Sequence, residues 1–422
     1  MKKTNLNIGC LVKVSTTSQE FLGVLIPSPN KEILALKLES GYNIGIERKN
    51  IKKIDLVEKH KKKTMKKEKI AINKKLPTIS ILHTGGTIAS KVDYETGAVT
   101  AIFSPEDLLS MFPELKDIAN IKSRLISNML SEDINFKHYN LIAREISKEL
   151  KNNIEGIILT HGTDTLAYTA AALSFILEDI PIPVILVGAQ RSSDRGSSDA
   201  FLNLLSAVKF ITQTDFSEVA ICMHESINDD NCLILPALKT KKLHSSRRDA
   251  FKAVNAKPIA RISDKIEFLT NYKKKEKREL KLKLMKENLK IGILKSHPNL
   301  SVDEIKNYSK FHGLILEGTG LGHFPVNKID KLTLENEKIL NEIKKLAKKI
   351  PVVMATQTIF GSVNMNVYSS GRKLLEAGVL GNYADMLSET AYIKLAWLLS
   401  NYPKNVKELI NKNLRGEITI NY

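Results

Sequence analysis

Short apolar runs recur along the chain, and their character changes twice. Over residues 1–58 they are brief and β-rich: Cys10-Leu11-Val12-Lys13-Val14, Phe21-Leu22-Gly23-Val24-Leu25-Ile26, Ile33-Leu34-Ala35-Leu36-Lys37-Leu38 and Ile44-Gly45-Ile46. Gly, Pro and Asn separate them, as in Pro27-Ser28-Pro29-Asn30. This spacing predicts a small β-barrel domain. Residues 59–75 have no apolar period and carry Lys61-Lys62-Lys63 and Lys66-Lys67, which reads as a basic linker. From Leu76 the runs are continuous rather than alternating: Thr78-Ile79-Ser80-Ile81-Leu82, Gly156-Ile157-Ile158-Leu159-Thr160, Pro183-Val184-Ile185-Leu186-Val187 and Val219-Ala220-Ile221-Cys222-Met223. Helical stretches such as Leu166 to Leu177 lie between most of them. Uninterrupted apolar strands alternating with helices predict an α/β body whose parallel sheet is covered on both faces.

The first α/β unit spans 76–265. A lysine- and glutamate-rich connector follows over 266–290, in which Leu280, Leu282 and Leu284 fit a strand or an exposed helix equally. A second α/β unit, 291–422, opens with Ile291-Gly292-Ile293-Leu294 and Gly313-Leu314-Ile315-Leu316. No internal repeat is visible.

Composition narrows the class. A chain of 422 residues, 43 % hydrophobic, is too long for one ordinary core. No apolar run approaches the ~20 residues of a membrane span. The start, Met1-Lys2-Lys3-Thr4-Asn5-Leu6-Asn7, has charge and no apolar signal core, so a cytoplasmic protein is expected. Three cysteines, Cys10, Cys222 and Cys232, have no metal-site spacing and do not make a disulfide framework. The net charge of +18 fits a surface that attracts RNA or simply a lysine-rich composition, much of it in the runs 59–69 and 273–290.

Two polar turns follow predicted strands. Thr84-Gly85-Gly86-Thr87 closes the first, and paired glycines let backbone turn sharply and approach a ligand. Thr160-His161-Gly162-Thr163-Asp164-Thr165 closes the second, where Thr163 and Asp164 serve equally as helix caps or as reactive groups. Ligands of open parallel sheets bind outside the carboxyl ends of strands, where both turns fall.

Together these turns resemble those of the bacterial-type L-asparaginase/glutaminase family, over roughly residues 76–422. The resemblance implies an asparaginase-like two-domain body and catalytic roles for Thr87, Thr163 and Asp164. It also implies a catalytic lysine within Lys239-Thr240-Lys241-Lys242-Leu243-His244-Ser245-Ser246-Arg247-Arg248-Asp249-Ala250-Phe251. Lys242 is the best match, with Lys241 and Lys239 as alternatives. A threonine hydroxyl needs an adjacent base. Neutral lysine suits the task only if its ordinary pKa of ~10.4 drops, at a cost of about 4–5 kcal/mol for a value near ~7. Asp164 alone raises it, whereas Arg247 and Arg248 are placed in sequence to oppose that rise. Backbone N–H groups at Gly86 and Gly162 are oxyanion candidates. Ser131 and Glu132, in Leu130-Ser131-Glu132-Asp133, resemble the family's substrate-holding segment but also suit a helix cap. Gly188-Ala189-Gln190-Arg191, with Ser198-Asp199, matches as a polar loop before a helix. Tyr94 stands displaced from the family's lid tyrosine.

The match is closer to an archaeal branch of the family, the glutaminase subunits of tRNA-dependent amidotransferases. Its residues include Lys37-Leu38-Glu39-Ser40-Gly41-Tyr42, Gly361-Ser362-Val363-Asn364-Met365-Asn366 and Asp385-Met386-Leu387-Ser388-Glu389-Thr390. This resemblance implies glutamine as substrate and ammonia as product. It further implies a separate tRNA-binding kinase/transferase subunit of the E type that uses ATP and Mg, with Glu-tRNA(Gln) reached through the complex. A homodimer core within a heterotetramer follows from it. The sequence itself has no Gly-x-x-x-x-Gly-Lys-Ser/Thr loop and no His-Glu-x-x-His pair, so no cofactor or metal is expected on this chain. The alternative is a stand-alone asparaginase with an accessory domain.

Overall fold

The computed structural model describes residues 7–28, 30–39, 43–59, 72–86, 88, 90–92, 99–101, 108–109, 111–191 and 197–419. Most of the linker, together with Thr87, Tyr94 and the loop 192–196, lies outside the described residues.

The N-terminal unit is a five-stranded antiparallel sheet: β1 (Leu11–Thr16), β2 (Glu20–Ile26), β3 (Ile33–Leu38), β4 (Asn43–Glu47) and β5 (Ile51–Glu58), in the order β4-β3-β2-β1-β5. Alternating residues Val12, Val14, Leu25, Leu34, Leu36 and Ile46 turn inward and, with Cys10, form one small core.

The catalytic body is built on β6 (Thr78–His83), a small hairpin of β7 (Ser90–Val92) and β8 (Val99–Ala101), β9 (Asn120–Leu125), β10 (Gly156–Thr160) and β11 (Leu177–Glu178). Then come β12 (Val184–Val187), β13 (Val219–His224), β14 (Cys232–Pro236), β15 (Thr240–Lys242), β16 (Phe251–Ala253), β17 (Ala260–Ile262), β18 (Ile266–Phe268) and β19 (Lys281–Leu282). Eight of these strands form one sheet, β18-β17-β14-β13-β12-β10-β6-β9. Pairing is parallel from β9 to β13, as expected for this fold. It turns antiparallel from β13 onward. Strand β18 belongs to this sheet, so the sheet runs past the boundary drawn at 265.

The sheet is apolar on both faces. Leu82, Ile157, Leu159, Val184, Leu186 and Ile221 face α1 (Phe136–Glu149) and α2 (Leu166–Ile176). Ile79, Ile81, Ile158, Ile185, Val187 and Cys222 face α3 (Ala200–Gln213). Cys222 and Cys232 are buried here, and all three cysteines are free thiols.

The second unit has a parallel sheet of β20 (Ile291–Lys295), β21 (Gly313–Gly318) and β22 (Val352–Thr356). Helices α4 (Val302–Lys306) and α5 (Leu334–Lys349) pack on one face. After α6 (Ser369–Glu376), α7 (Ser388–Asn401) covers the other face and joins the core of the catalytic body. There Trp397 meets Phe175 at a ring separation of 5.2 Å.

The segment 266–290 is fastened rather than loose. β19 pairs with β11, Leu280, Leu282 and Leu284 pack on the core, and Trp397 Nε1 donates to Lys283 O at 3.1 Å. Some of its charges are matched: Lys275 with Glu155 (3.0 Å), Lys281 with Asp179 (3.1 Å) and Lys274 with Asp215 (3.4 Å). Those pairs tie the run to the catalytic unit beside it. Among the described residues no helix is long and apolar enough to cross a membrane.

Candidate functional site

Four parallel strands deliver the polar turns to one end of the sheet. β6 leads into Thr84-Gly85-Gly86, whose Thr84 Oγ1 donates to Thr160 O at 2.9 Å, and so binds the first turn to the second. Gly86 adopts φ +85°, and a Cβ there would stand 2.7 Å from Gly162 N. The two turns therefore touch through bare backbone. Thr87, the next residue in the chain, lies outside the described residues.

β10 leads into His161-Gly162-Thr163-Asp164 and then into α2. His161 is fully buried, with Nδ1 2.7 Å from Gly162 O and Nε2 2.8 Å from Thr169 Oγ1. A carbonyl only accepts, so Nδ1 carries the proton and Nε2 accepts from Thr169. Burial pushes the imidazole pKa down to about 4, which keeps the ring neutral. The ring thereby fixes the Gly162 carbonyl behind the turn. His83 is also buried, lies 2.8 Å from both Thr160 Oγ1 and Ser123 Oγ, and is likewise pushed to about 4.

β12 leads into Gly188, where an added Cβ would stand 2.9 Å from Thr163 Cγ2. Its loop is held by the buried Asp199, whose carboxylate accepts from Gln190 N (3.0 Å) and Arg191 N (3.0 Å). Asn203 adds a bond from Nδ2 to Gly188 O at 3.0 Å. Ser198, not Asp199, caps α3, by accepting from Ala200 N at 3.1 Å.

The central contact comes from outside the parallel strands. β15 and β16 form a hairpin, and Lys242 Nζ donates to Thr163 Oγ1 at 2.9 Å and to Asp164 Oδ1 at 2.6 Å. The Lys242 side chain is 13 % exposed and that of Asp164 is 65 % exposed. The ammonium is thus sheltered while its carboxylate partner faces solvent. The other lysines of the segment are engaged elsewhere. Lys241 pairs with Glu389, and Lys239 pairs with Asp385 at 2.6 Å. Arg247 and Arg248, expected to lean on Lys242, instead pair with Asp249 (2.9 Å) and Asp229 (2.5 Å).

Ser131 and Glu132 sit in a short 3₁₀ turn after β9, with Ser131 buried and Glu132 exposed. Thr165 Oγ1 donates to Ser131 O at 2.6 Å, so this turn joins the other two. The capping alternative falls to another residue, because Asn135 caps α1 through Lys137 N. Sequence reasoning missed the support behind the site: His83, His161 with Thr169, and Asn203. Their signal was weak: His83 and Asn203 act through residues distant in the chain, and the contacts of His161 to Gly162 and Thr169 form only once the strand-to-helix turn is made. Among the described residues no three His, Cys, Asp or Glu side chains gather in a way that could hold a metal ion.

Comparison with known proteins matches this layout. The asparaginase N-terminal family profile covers residues 78–274, and the glutaminase/asparaginase C-terminal domain profile covers 290–410. Residues 6–57 match the GatD N-terminal domain. The D subunit of the glutamyl-tRNA(Gln) amidotransferase of Methanococcus maripaludis is 44 % identical over 423 residues, covering 98 % of both chains. That of Pyrococcus horikoshii is 42 % identical over 436 residues, covering 99 % of this chain and 96 % of its own. Among solved structures, the thermostable L-asparaginase from Thermococcus kodakarensis superposes with a TM-score of 0.71 at 31 % identity. It covers 81 % of this chain and 99 % of its own length. L-asparaginase I from Vibrio cholerae gives 0.70 at 30 %, with 82 % and 100 % coverage.

Proposed function

Because the chain belongs to the asparaginase/glutaminase family, in the branch of the glutamyl-tRNA(Gln) amidotransferase D subunits, we propose that it hydrolyses glutamine and supplies the ammonia to a partner subunit. One observation carries the site: Lys242 Nζ reaches both Thr163 Oγ1 and Asp164 Oδ1.

In this reading the Thr87 hydroxyl attacks the side-chain amide carbon of glutamine. The Thr163-Asp164-Lys242 set takes the hydroxyl proton and returns it to the amide nitrogen, which leaves as ammonia. Water then cleaves the threonine ester to glutamate. Backbone N–H groups at Gly86 and Gly162 receive the developing oxyanion. Ser131 and Glu132, with Asp164, hold the α-carboxylate and α-ammonium of the substrate. Asp164 has two tasks. In the free site its carboxylate accepts from Lys242 Nζ and so orients the amine toward Thr163. Its side chain is also 65 % exposed, which leaves it open to the substrate's α-ammonium.

The partner, a tRNA-binding subunit of the E type, uses ATP and Mg to activate glutamate on Glu-tRNA(Gln), and ammonia completes the amide. The assembly is a heterotetramer around a homodimer of this chain, working in the cytoplasm. The second reading, a stand-alone asparaginase, draws on the superposition with L-asparaginases. Ammonia release from asparagine by the isolated chain, at a rate equal to that of the full complex on glutamine, would favour it.

The test is glutamine-dependent transfer in the assembled complex. Thr87→Ala and Lys242→Ala each lower it by about 10²–10⁴-fold and leave transfer from added ammonium intact. Both variants retaining glutamine-dependent turnover would sink the site assignment.

A further inference from the structure

The segment Lys239-Thr240-Lys241-Lys242 offers three lysines for one task. In an extended strand, neighbouring side chains point to opposite faces, so a slip of one residue would replace Lys242 by Lys241 at the cleft. Strand β15 has three residues, and its ladder to β16 gains a backbone bond at either end, Leu243 N to Ala250 O and Val254 N to Lys239 O (both 2.7 Å), so the hairpin sets its own register and leaves its seat against Thr163 to other contacts.

That seat is made from the second unit, by contacts that gather at the start of α7. Thr390 Oγ1 donates to Leu238 O at 2.8 Å. Glu389 takes Lys241 on the face opposite Lys242. Asp385 takes Lys239 at 2.6 Å, with Lys239 only 3 % and Asp385 only 7 % exposed. Thr419 closes this pair from the solvent side. Its hydroxyl accepts from Lys239 Nζ (3.1 Å) and donates to Asp385 Oδ2 (2.6 Å), while its N–H donates to Asp385 Oδ1 (2.9 Å). The second strand is tied at the same open end. Asn255 donates to Gly361 O (3.0 Å) and Asp385 O (3.2 Å), and Gly361 N donates to Asn255 Oδ1 (3.0 Å).

A buried ion pair is a poor source of stability, because desolvation offsets most of its attraction, and its best-attested use is to fix register. We infer that Lys239, Asp385 and Thr419 are positioning residues: a three-part clamp that seats the β15–β16 hairpin and holds Lys242 against Thr163. The inference rests on the reading of Lys242 as the catalytic base. It gives the second unit, through Asp385 and Thr419, a part in glutamine hydrolysis that acts on Lys239, three residues along the chain from the reacting amine.

The experiment uses the complex and measures kcat and KM for glutamine in Thr419→Val, Thr419→Ser and Asp385→Asn. Thr419→Val keeps shape but removes the bridging hydroxyl. It lowers kcat by about 10- to 10²-fold, since small displacements of a catalytic group act on this scale. KM stays within about twofold, because substrate contacts are untouched. Thr419→Ser restores kcat to within about twofold of the parent. Asp385→Asn repeats the kcat loss if it folds, as judged by intact ammonium-dependent transfer. Parental kcat in Thr419→Val, a loss that serine does not restore, or a loss matched by a rise in KM overturns the clamp. Lys242→Ala separates the two levels. An active Lys242→Ala overturns the base assignment, while an inactive Lys242→Ala beside an unaffected Thr419→Val overturns the clamp alone.

Discussion

Two lysine–carboxylate pairs in this molecule have the same 2.6 Å separation and opposite consequences. Lys242 meets Asp164, and Lys394 on α7 meets Glu417. Both members of the second pair are fully buried. The remaining Lys394 protons go to the carbonyls of Ile410 (2.9 Å) and Lys412 (2.5 Å), and Glu417 accepts from Leu414 N (3.0 Å) and Arg415 N (2.7 Å). Every partner is fixed backbone or fixed charge, so nothing is left to react. Lys242 instead commits a proton to a hydroxyl, and its carboxylate opens to solvent. Distance does not distinguish a structural lysine from a reactive one. The third partner and the exposure of the counter-charge do.

The comparison breaks most sharply by removing each amine in turn. Lys242→Met should cost about 10²–10⁴ in glutamine turnover, and shift unfolding free energy by less than about 1 kcal/mol, since its partner is exposed. Lys394→Met should show the reverse pattern. It strands Glu417 in the core and destabilises by about 3–5 kcal/mol in denaturant unfolding, with a loss of kcat per folded molecule well short of that of Lys242→Met. Similar stability losses in the two variants would erase the distinction.

The histidines behind the site sharpen it further. His83 and His161 have folded pKa values near 4 against an ordinary 6.5. Between these values the unfolded chain binds more protons, so stability falls as pH falls. It is fully present above pH ~6.5, and at pH 5 each histidine accounts for a loss of about 2 kcal/mol. Unfolding midpoints measured at pH 7 and pH 5 check this, and His161→Asn should flatten the slope. Next comes Gly188→Ala, whose methyl must displace Thr163 Cγ2, 2.9 Å away. It should cost about 1–3 kcal/mol and reduce kcat. The smallest effect belongs to Lys345→Ala on α5, which loses a surface pair to Glu342 and should change stability by no more than about 0.5 kcal/mol.

What could be read from the sequence follows the range of the interactions. The strands β6, β10, β12 and β13 are legible because burial on both faces leaves continuous apolar runs. The turns after β6 and β10 are legible because Gly-Gly-Thr and His-Gly-Thr-Asp concentrate unusual residues at strand ends. The antiparallel extension is not, because Ala260–Ile262 and Ile266–Phe268 are too short to show a period. The choice among Lys239, Lys241 and Lys242 stays open in the sequence for a different reason. The groups that separate them, Asp385 and Glu389, lie more than a hundred residues downstream and meet them only in the folded chain. Asn203 looks like an ordinary helix residue, yet its amide touches Gly188 O and His224 Nδ1 together.

The three free thiols are divided between two separate cores, with Cys10 in the small N-terminal sheet and Cys222 and Cys232 in the large one. An alkylating reagent therefore reaches each only when its own core opens. Peptide-resolved mass spectrometry after labelling at rising urea would report the unfolding of the accessory module and of the catalytic body as two separate curves, in one sample and without engineered probes.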